Sequence, residues 1–296
     1  MRLPYFPGCT LHSKAQNFDA SARAAGEALE IHFDELPDWT CCGATFSMPA
    51  DSAMGLAAPT RILAAAREAG KLLTLCSFCY NTLKRTNHVI LTDPERRTKV
   101  TNFIEQEYDG SVRTVHLLEV LRDEIGFEAL AKRVVRTLAG LKVAPYYGCL
   151  LLRPAEEVAF DDPERPTILE HCLRSLGCTV VDFPHKTECC GSFVSVSDRH
   201  AAAECSARIL ETAAGLGAEL LAVSCPLCQY NLDRNQGELR AARRRFAGLP
   251  VVYFSQLLAL ALGCDESCLH LDQHAVDPRP RLSAWLGQGE PDTARA

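Results

Sequence analysis

The chain has 296 residues, a net charge of −6 and 47% hydrophobic residues, so a packed core is expected and a disordered chain is excluded. The acidic balance argues against a nucleic-acid partner, and no apolar segment approaches the length of a membrane span. The first residues do not form a signal-peptide pattern. We therefore expect a cytoplasmic protein, in which clustered cysteines are metal ligands or redox groups rather than disulfides.

Short apolar runs alternate with longer amphipathic segments in the first half, which is typical of βα units around a parallel sheet. The predicted elements are a strand at Leu3 to Phe6, helices at about Lys14 to Glu30 and Met54 to Ala69, a terminating Gly70, and a strand at Leu72 to Leu75. Cys76 then begins the next helix.

The second half repeats this order of elements. They are a strand at Val143 to Tyr147, a helix at Thr167 to Leu176 stopped by Gly177, a strand at Thr179 to Phe183, a helix at Ala201 to Ala214, and a strand at Leu220 to Ser224. In sheets of this kind ligands gather at the carboxyl ends of the strands. That is where four cysteines fall, namely Cys9, Cys76, Cys149 and Cys225.

Two domains follow from this repeat, a first at 1–125 and a second at 143–276. Apolar residues keep helical spacing from Phe127 to Leu141, which predicts a linking helix within 126–142. The segment 277–296 is rich in Pro, Arg and Gly, so we expect a loosely ordered tail there.

Ten of the fifteen cysteines form two copies of one pattern, a lone Cys followed by Cys-Cys-Gly and CxxC. The first set is Cys9, Cys41, Cys42, Cys76 and Cys79. The second set is Cys149, Cys189, Cys190, Cys225 and Cys228. Flanking residues repeat as well, since Tyr5-Phe6-Pro7-Gly8 before Cys9 corresponds to Tyr146-Tyr147-Gly148 before Cys149. The pattern indicates an internal duplication with one metal site in each half.

The residue types in each set are those of a thiolate metal site. A CxxC at a helix start directs two sulfurs the same way, and the helix N-terminus stabilises a thiolate. Neighbouring cysteines can face one site only in a turn, for which Gly43 and Gly191 supply the backbone freedom. Zinc sites and cubane [4Fe-4S] clusters take four thiolates. Each half therefore contains one of two sites. Either four cysteines are ligands and the fifth is a spare buried residue, or, as we favour, all five thiolates bind an iron–sulfur centre whose geometry differs from the cubane.

These motifs closely resemble the CCG domain of the heterodisulfide reductase B subunit in its free-standing form. The resemblance runs from Leu3 to about Arg279 and includes the closing segments Val251 to Gln256 and His274 to Arg279. It implies an α/β fold of two duplicated CCG half-domains with Rossmann-like βα units and iron–sulfur sites at the carboxyl ends of the strands.

The resemblance also implies a cofactor, a reaction and partners. Each five-cysteine set would hold a noncubane [4Fe-4S] cluster, and a disulfide, thiol or persulfide substrate would react between the two clusters in one-electron steps. The chain has no nucleotide-binding or ferredoxin motif of its own. Its partners would be a ferredoxin-like C subunit, which exchanges the electrons, and a flavoprotein A subunit.

One position departs from the family pattern and bears on the substrate. In the methanogen form a His directly follows the lead cysteine of the second motif, where it can donate a proton to a departing thiolate. Leu150 occupies that place here. Replacement proton donors or substrate anchors near the cysteines are His12, Lys14, His185 and Lys186. The substrate is then a methanogen-type coenzyme disulfide or another sulfur compound handled by a bacterial complex.

Other cysteines carry weaker indications. Cys172, Cys178 and Cys205 lie on apolar faces and are predicted core residues. Cys264 and Cys268 with His270 and His274 resemble a zinc-finger fragment, but their spacing matches no usual site, so we expect packing near a partner. Two alternative functions stay open: a CCG-domain electron-transfer subunit of a lactate or glycolate oxidising complex, and a structural zinc protein.

Overall fold

Two four-stranded sheets form the frame of the molecule in the computed structural model, which describes residues 1–44, 53–237, 239 and 246–287. The strands of the first sheet are β1 (Arg2–Tyr5), β2 (His32–Glu35), β3 (Lys71–Thr74) and β4 (Arg113–His116). Those of the second are β5 (Lys142–Tyr146), β6 (Thr179–Val180), β7 (Leu220–Val223) and β8 (Val251–Tyr253). The strand orders are β2-β1-β3-β4 and β6-β5-β7-β8, with parallel pairing. The predicted α/β class and the duplication are confirmed.

Helices connect the strands in both halves. The first half contains α1 (Gly8–Leu11), α2 (Gln16–Ala28), α3 (Ala57–Ala65), α4 (Ser77–Thr92), α5 (Pro94–Ile104), α6 (Leu117–Val120) and a π turn at Leu121–Ile125. Then follow α7 (Phe127–Arg133), α8 (Ala155–Val158), α9 (Ile168–Ser175), α10 (Arg199–Gly215), α11 (Pro226–Arg234), α12 (Phe254–Ala261) and α13 (Arg279–Leu282). In the described ranges no helix combines the length and the apolar character needed to span a membrane.

The central strands are covered on both faces, which explains their continuous apolar sequences. Every residue of β7 is buried, and so are Leu72 and Leu73 in β3. The predicted stops are also in place. Gly70, at a φ of +67°, ends the 3-10 turn Arg67–Ala69 that follows α3, and Gly177, at a φ of +90°, comes two residues after α9 ends. Because both faces of each sheet are covered, the carboxyl ends of the strands are the part of the sheet that a ligand can reach.

Each half donates its last helices to the other half. The helix α12 follows β8 in the second half but packs on α2 of the first, while α6 and α7 pack on α9 of the second half. The first contact includes a hydrogen bond of 2.6 Å between the hydroxyls of Ser21 and Ser255. It also includes a parallel stack of Phe18 on Tyr253, with ring centroids 4.2 Å apart. The halves therefore share their cores.

The linking helix is shorter than predicted, since α7 ends at Arg133 and Val134 is extended. The backbone N–H groups of Val135 and Arg136 donate to the carbonyl oxygen of Ala261 at the end of α12, each at 2.9 Å. The last carbonyls of a helix have no partner within it, so this contact satisfies one of them. These two tertiary hydrogen bonds take the place of the helix that was predicted over 134–141.

The prediction of a loosely ordered tail is wrong as far as Gly287. The helix α13 buries Leu282, and the indole N–H of Trp285 donates to the carbonyl of Thr137 at 2.9 Å. Two apolar side chains and one hydrogen bond hold this segment against the link between the halves. The remaining part of that prediction, 288–296, lies outside the described residues.

Candidate metal centres

The five cysteines of the first set come together beyond the carboxyl ends of β1, β2 and β3. Cys76 is the residue before α4, and Cys79 lies in the first turn of that helix. The sulfurs of Cys9 and Cys41 are 3.7 Å apart, and those of Cys42 and Cys79 are 3.5 Å apart. The structure thus brings the lone Cys, the Cys-Cys-Gly turn and the CxxC to one place.

The second set repeats this arrangement in the second sheet. Cys225 precedes α11, and the sulfurs of Cys190 and Cys228 are 3.5 Å apart. The backbone N–H of Gly191 donates to the sulfur of Cys189 at 3.4 Å. The tight turn that this requires places Gly191 at a φ of +83°, a conformation that suits glycine.

In both sets three cysteines are buried, which we call the floor of the site, and the other two lie toward solvent. In the first, Cys42, Cys76 and Cys79 are buried, whereas Cys9 and Cys41 are exposed. In the second set the floor consists of Cys190, Cys225 and Cys228; Cys149 is half-buried and Cys189 is exposed. A bound group would therefore be enclosed on one side and accessible on the other.

Hydrogen bonds among the thiols of the first set favour one thiolate. Hydrogen bonds that the sulfur of Cys42 shares with Cys41 and Cys79 lower the pKa of Cys42 to about 3. The same bonds raise the pKa of Cys41 and of Cys79. Losing more protons would crowd negative charge into a buried space, so full ionisation needs a positive centre.

The second set behaves in the same way around Cys189. The thiols of Cys149 and Cys190 donate to its sulfur and lower its pKa to about 2, while the pKa of each donor is raised. A hydrogen bond from Cys228 and backbone N–H groups at the start of α11 lower the pKa of Cys225. The donor chemistry of both sets fits a cationic metal centre.

Two glycines, Gly8 and Gly148, leave space beside a cysteine sulfur that a side chain would fill. A Cβ on Gly8 would lie 2.7 Å from the sulfur of Cys79, closer than real Cβ contacts. A Cβ on Gly148 would lie 3.2 Å from the sulfur of Cys228. Both glycines directly precede the lone cysteine of their set and have φ near +70°. These duplicated positions therefore require glycine for conformation and for room.

The two sets adjoin each other through the starts of α4 and α11. Ser77, the residue after Cys76, hydrogen-bonds the hydroxyl of Ser224 at 3.2 Å and the Ser224 carbonyl at 3.3 Å. The backbone N–H of Phe78 in the first half also donates to the sulfur of Cys225 in the second. Residues inside the first CxxC are therefore in direct contact with residues at the start of the second across the halves.

A cavity opens over the second set, which we call the second-site cavity. All five cysteines of that set line it, together with Ser77, Phe78, Tyr147, Leu150, Ser192 and Phe193. Of these six, the sequence indicated only Leu150 as a residue that bears on the substrate. Phe78 lies inside the first CxxC, and Phe193 lies two residues after Gly191. These positions are the sequence signals that could have indicated the two phenylalanines.

The proposed donors of the first half lie on the surface. His12 and Lys14 are both exposed, and the His12 ring lies edge-on to Trp39 with centroids 5.5 Å apart. They follow Cys9 by three and five residues, on the open side of the first set. Their assignment as donors or anchors stays a prediction.

The proposed donors of the second half are engaged with carboxylates. His185 Nδ1 lies 2.7 Å from a carboxylate oxygen of Glu188. The ammonium of Lys186 donates to Glu170 at 2.7 Å and to Asp182 at 3.1 Å. The hydroxyl of Tyr147 bonds the other oxygen of Glu170. Lys186 therefore supports a wall of the second-site cavity through Glu170 and Tyr147, and its role as a donor stays a prediction.

The extra cysteines do not join either set. Cys172 and Cys178 are buried, as predicted, and burial raises the pKa of both thiols, whereas Cys205 is half-buried. His274 is buried among amides, with Gln256 at 2.9 Å and Gln229 at 3.3 Å from its two ring nitrogens. These bonds hold the closing segment on the second half and occupy both nitrogens of the ring.

A single-ion site is not evident in this arrangement. Among the residues that the structure describes, no three or more Cys, His, Asp or Glu side chains are placed to hold one metal ion. This applies to Cys264, Cys268, His270 and His274, and also to a mononuclear zinc site in either set. A cluster of several irons can take its thiolates at separate metal atoms, so it does not need such convergence.

Comparison with known proteins agrees with this geometry. The CCG cysteine-rich domain matches residues 3–84 and 143–233. The chain is 32% identical over 277 residues to the 8-methylmenaquinol:fumarate reductase membrane anchor subunit of Wolinella succinogenes, covering 92% of this chain and 96% of that protein. It is 30% identical over 282 residues to the B subunit of the ferredoxin/F(420)H(2)-dependent CoB-CoM heterodisulfide reductase of Methanosarcina acetivorans, covering 93% and 94%.

Further relatives support the same assignment. A protein of Archaeoglobus profundus, named as like the B subunit of heterodisulfide reductase, is 30% identical over 269 residues, with 88% of this chain and 90% of that protein covered. A crystal structure of a hypothetical protein from Helicobacter pylori shares the fold, with a TM-score of 0.74 at 16% identity. The similarity covers 93% of this chain and 51% of that one, so the chain spans about half its length.

The family match and the heterodisulfide reductase relatives point to iron–sulfur clusters as the cofactor. The ten cysteines of the duplicated pattern fall inside the two matched ranges. The chain belongs to the CCG cysteine-rich domain family and, within it, to the relatives of the heterodisulfide reductase B subunit.

Proposed function

We propose that this chain is the B subunit of a heterodisulfide reductase-like complex and that it cleaves or forms a sulfur–sulfur bond. The observation that carries the proposal is that two complete five-thiol sets adjoin each other through Ser77 and Ser224. Each set would hold one [4Fe-4S] cluster of the noncubane type. The ligands are Cys9, Cys41, Cys42, Cys76 and Cys79 for one, and Cys149, Cys189, Cys190, Cys225 and Cys228 for the other.

The clusters, when bound, would exchange single electrons with a substrate whose bond cleavage takes two. The chain's own residues hold and orient the reacting groups. Buried thiols in each floor fix the metal, and the N-termini of α4 and α11 direct backbone N–H groups at thiolates. Leu150 and Phe193 present apolar side chains to a group that approaches the second set.

Electrons would reach the chain through other subunits. We propose that the direct partner is a ferredoxin-like C subunit, with a flavoprotein A subunit behind it, because the Methanosarcina relatives are subunits of ferredoxin-dependent reductases by name. The substrate would be a disulfide, a thiol or a persulfide. We place the complex in the cytoplasm, where ligand thiols stay reduced until they bind metal.

A second candidate is an electron-transfer subunit of a quinol-dependent complex. The relative from Wolinella succinogenes, at 32% identity, is named for a methylmenaquinol:fumarate reductase. The second-site cavity has an apolar wall at Leu150 and Phe193, which suits a quinol ring as well as a disulfide. This function would use the same cysteines for a different two-electron donor.

Metal analysis tests the cofactor. Anaerobically purified protein should contain about eight irons and about eight sulfides per chain, as two four-iron clusters require. Cys190→Ala should lose about half of that iron, whereas Cys205→Ala, a half-buried cysteine outside both sets, should keep all of it. Zinc at two ions per chain without iron would refute the proposal, and magnetic spectra of ordinary cubane clusters would refute the noncubane type.

Activity separates the two candidate functions. Reduced methyl viologen should drive disulfide cleavage by the loaded protein, and Cys190→Ala should abolish it. Oxidation of a menaquinol analogue in the absence of any disulfide reduction would favour the quinol-dependent function instead.

A further inference from the structure

The wall of the second-site cavity is apolar on the side away from the cysteines. Phe78 and Tyr147 are buried deep in the wall, Leu150 is half-buried, and Phe193 is 53% exposed at the mouth. The polar groups of the wall are three hydroxyls. That of Ser77 is bound to Ser224, that of Tyr147 is bound to Glu170, and the third belongs to Ser192. Phe193 and Leu150 therefore lie beside the approach to the buried cysteines of this set.

The described lining of the cavity carries no counter-charge to an anion. None of the described residues that line it is Lys, Arg, His, Asp or Glu. Two cations are close in sequence to the lining, and both are engaged elsewhere. Lys186 is held by Glu170 and Asp182 behind Tyr147. Arg153 donates to Glu164 and to the carbonyls of Pro163 and Thr187. The cysteines themselves bring negative charge to the floor. A carboxylate, sulfonate or phosphate entering here would lose water, gain no partner and meet like charge.

We propose that the second cysteine set takes an uncharged, apolar substrate group, and that Phe193 and Leu150 determine this specificity. The inference rests on the proposed function and defines its substrate class. An apolar group gains by leaving water for the Phe193, Leu150 and Phe78 surface, while a charged group of the same length must be desolvated without compensation.

Two disulfides of matched length test the proposal on the iron-loaded protein. Dibutyl disulfide is uncharged, and dithiodipropionate carries a carboxylate at each end. Cleavage of either takes two electrons from two reduced methyl viologens and two protons from water, and it yields two thiols. The catalytic efficiency should favour dibutyl disulfide by about tenfold or more, which corresponds to at least about 1.4 kcal/mol.

Equilibrium binding supplies a readout that does not depend on turnover. Calorimetric titration of the oxidised protein with each disulfide should show the same preference as the kinetics. Equal affinity for the two disulfides, or tighter binding of dithiodipropionate, would overturn the proposal.

A charge placed at the mouth should reverse the preference. Phe193→Arg puts a cation beside the path and should weaken dibutyl disulfide and improve dithiodipropionate, each by about threefold to tenfold. Val196→Arg is the matched control, because it adds the same charge to the same loop at a side chain that is 97% exposed. Leu150→Lys repeats the test deeper in the wall. Identical selectivity in Phe193→Arg and Val196→Arg would remove Phe193 from the specificity site.

The failure of the proposed function gives a different result. If neither disulfide binds or reacts but menadione, an uncharged quinone, binds and Phe193→Arg weakens it, the sulfur chemistry is wrong and the apolar specificity holds. If neither the disulfides nor menadione bind, the apolar specificity is refuted as well.

Discussion

Gly8 allows the backbone to pass directly beside the sulfur of Cys79. We expect Gly8→Ala to lower the iron content of the purified protein by about half, because its Cβ would lie 2.7 Å from the sulfur of Cys79. The substitution also places a side chain at a φ of +73°, which costs about 1 kcal/mol on its own. Iron and sulfide per chain after anaerobic purification measure the effect.

Gly70→Ala separates crowding from backbone strain. Gly70 has a φ of +67°, and a Cβ added there would meet no atom within 4 Å, so this variant keeps the strain and omits the contact. It should retain full iron. An equal loss of iron from both variants would show that strain, and not the space beside Cys79, explains the need for glycine.

His116 links stability to pH through its burial. Its Nε2–H donates to the carbonyl of Leu75 at 2.8 Å, and Nδ1 accepts from the backbone of Leu118. Burial lowers the pKa of His116 from 6.5 to about 4, so the folded state keeps the ring neutral. Between these values the unfolded chain binds a proton that the folded chain does not. Stability is therefore full above about pH 6.5 and falls by about 1.4 kcal/mol for each pH unit as the pH decreases toward 4.

The variant His116→Asn should flatten this dependence. Asparagine can still accept from the Leu118 backbone but does not titrate. The apparent unfolding midpoint of the wild type should fall by several degrees more than that of the variant between pH 7.5 and pH 5.5. His12→Asn, at an exposed histidine, is the control and should behave as the wild type. A wild-type slope in His116→Asn would assign the effect to another group.

At the scale of elements, the helix α4 positions the loop of the opposite half. The amide of Asn81 donates to the carbonyls of Leu150 and Arg153, both at 2.7 Å, in the loop that carries Cys149. We expect Asn81→Leu to loosen that loop, since each buried carbonyl left without a donor costs about 1–3 kcal/mol. Iron should be lost from the second set although Asn81 belongs to the first half.

Tyr230 provides the control for Asn81. It occupies the same place after the second CxxC, two residues beyond Cys228, but it is 59% exposed. Tyr230→Ala should leave the iron content and the disulfide activity unchanged. A matching loss in the two variants would mean that the substitutions act on helix stability and not on the Cys149 loop.

The elements themselves were largely predictable, and their contacts between halves were not. Apolar runs over β3 and β7 and the glycine stops predicted strands and helix ends within a few residues, because burial and left-handed backbone leave a local trace. The residues after Arg133 keep helical spacing, yet they bind Ala261 far along the chain. The bonds of Asn81 are likewise set by the docking of the halves, which has no local pattern.

The candidate sites follow the same division. The repeated spacing was enough to predict that the ten cysteines lie in two groups, since duplication places equivalent strand ends at equivalent positions. Their role as ligands stays a prediction. It did not predict Phe78 or Phe193 at the second-site cavity, because a wall built from two halves depends on how they dock. Lys186 was chosen for its closeness to Cys189 in sequence, but its ion pair with Glu170 depends on the approach of α9.

At the scale of the whole molecule, the exchange of helices joins the cores of the two halves, so we expect them to unfold as one unit. The helix α12 covers α2 of the first half, and α6 and α7 cover α9 of the second. Separating the halves would expose both covered faces at once. We therefore expect residues 1–141 and 142–296, expressed separately, to be insoluble or without iron, and their coexpression to restore a loaded complex. A separate half that is soluble and holds its own cluster would contradict this expectation.

Cooperativity also predicts how a single core change spreads through the molecule. Phe18 is fully buried and stacks on Tyr253 of the other half. Phe18→Ala should destabilise the protein by about 3–5 kcal/mol, the usual cost of removing a buried aromatic ring. Calorimetry should show one transition moved to lower temperature, since neither half can keep its core alone. Phe103→Ala, at a phenylalanine that is 53% exposed, should leave the transition nearly in place. Two transitions in Phe18→Ala, one of them at the wild-type temperature, would show that the halves unfold independently.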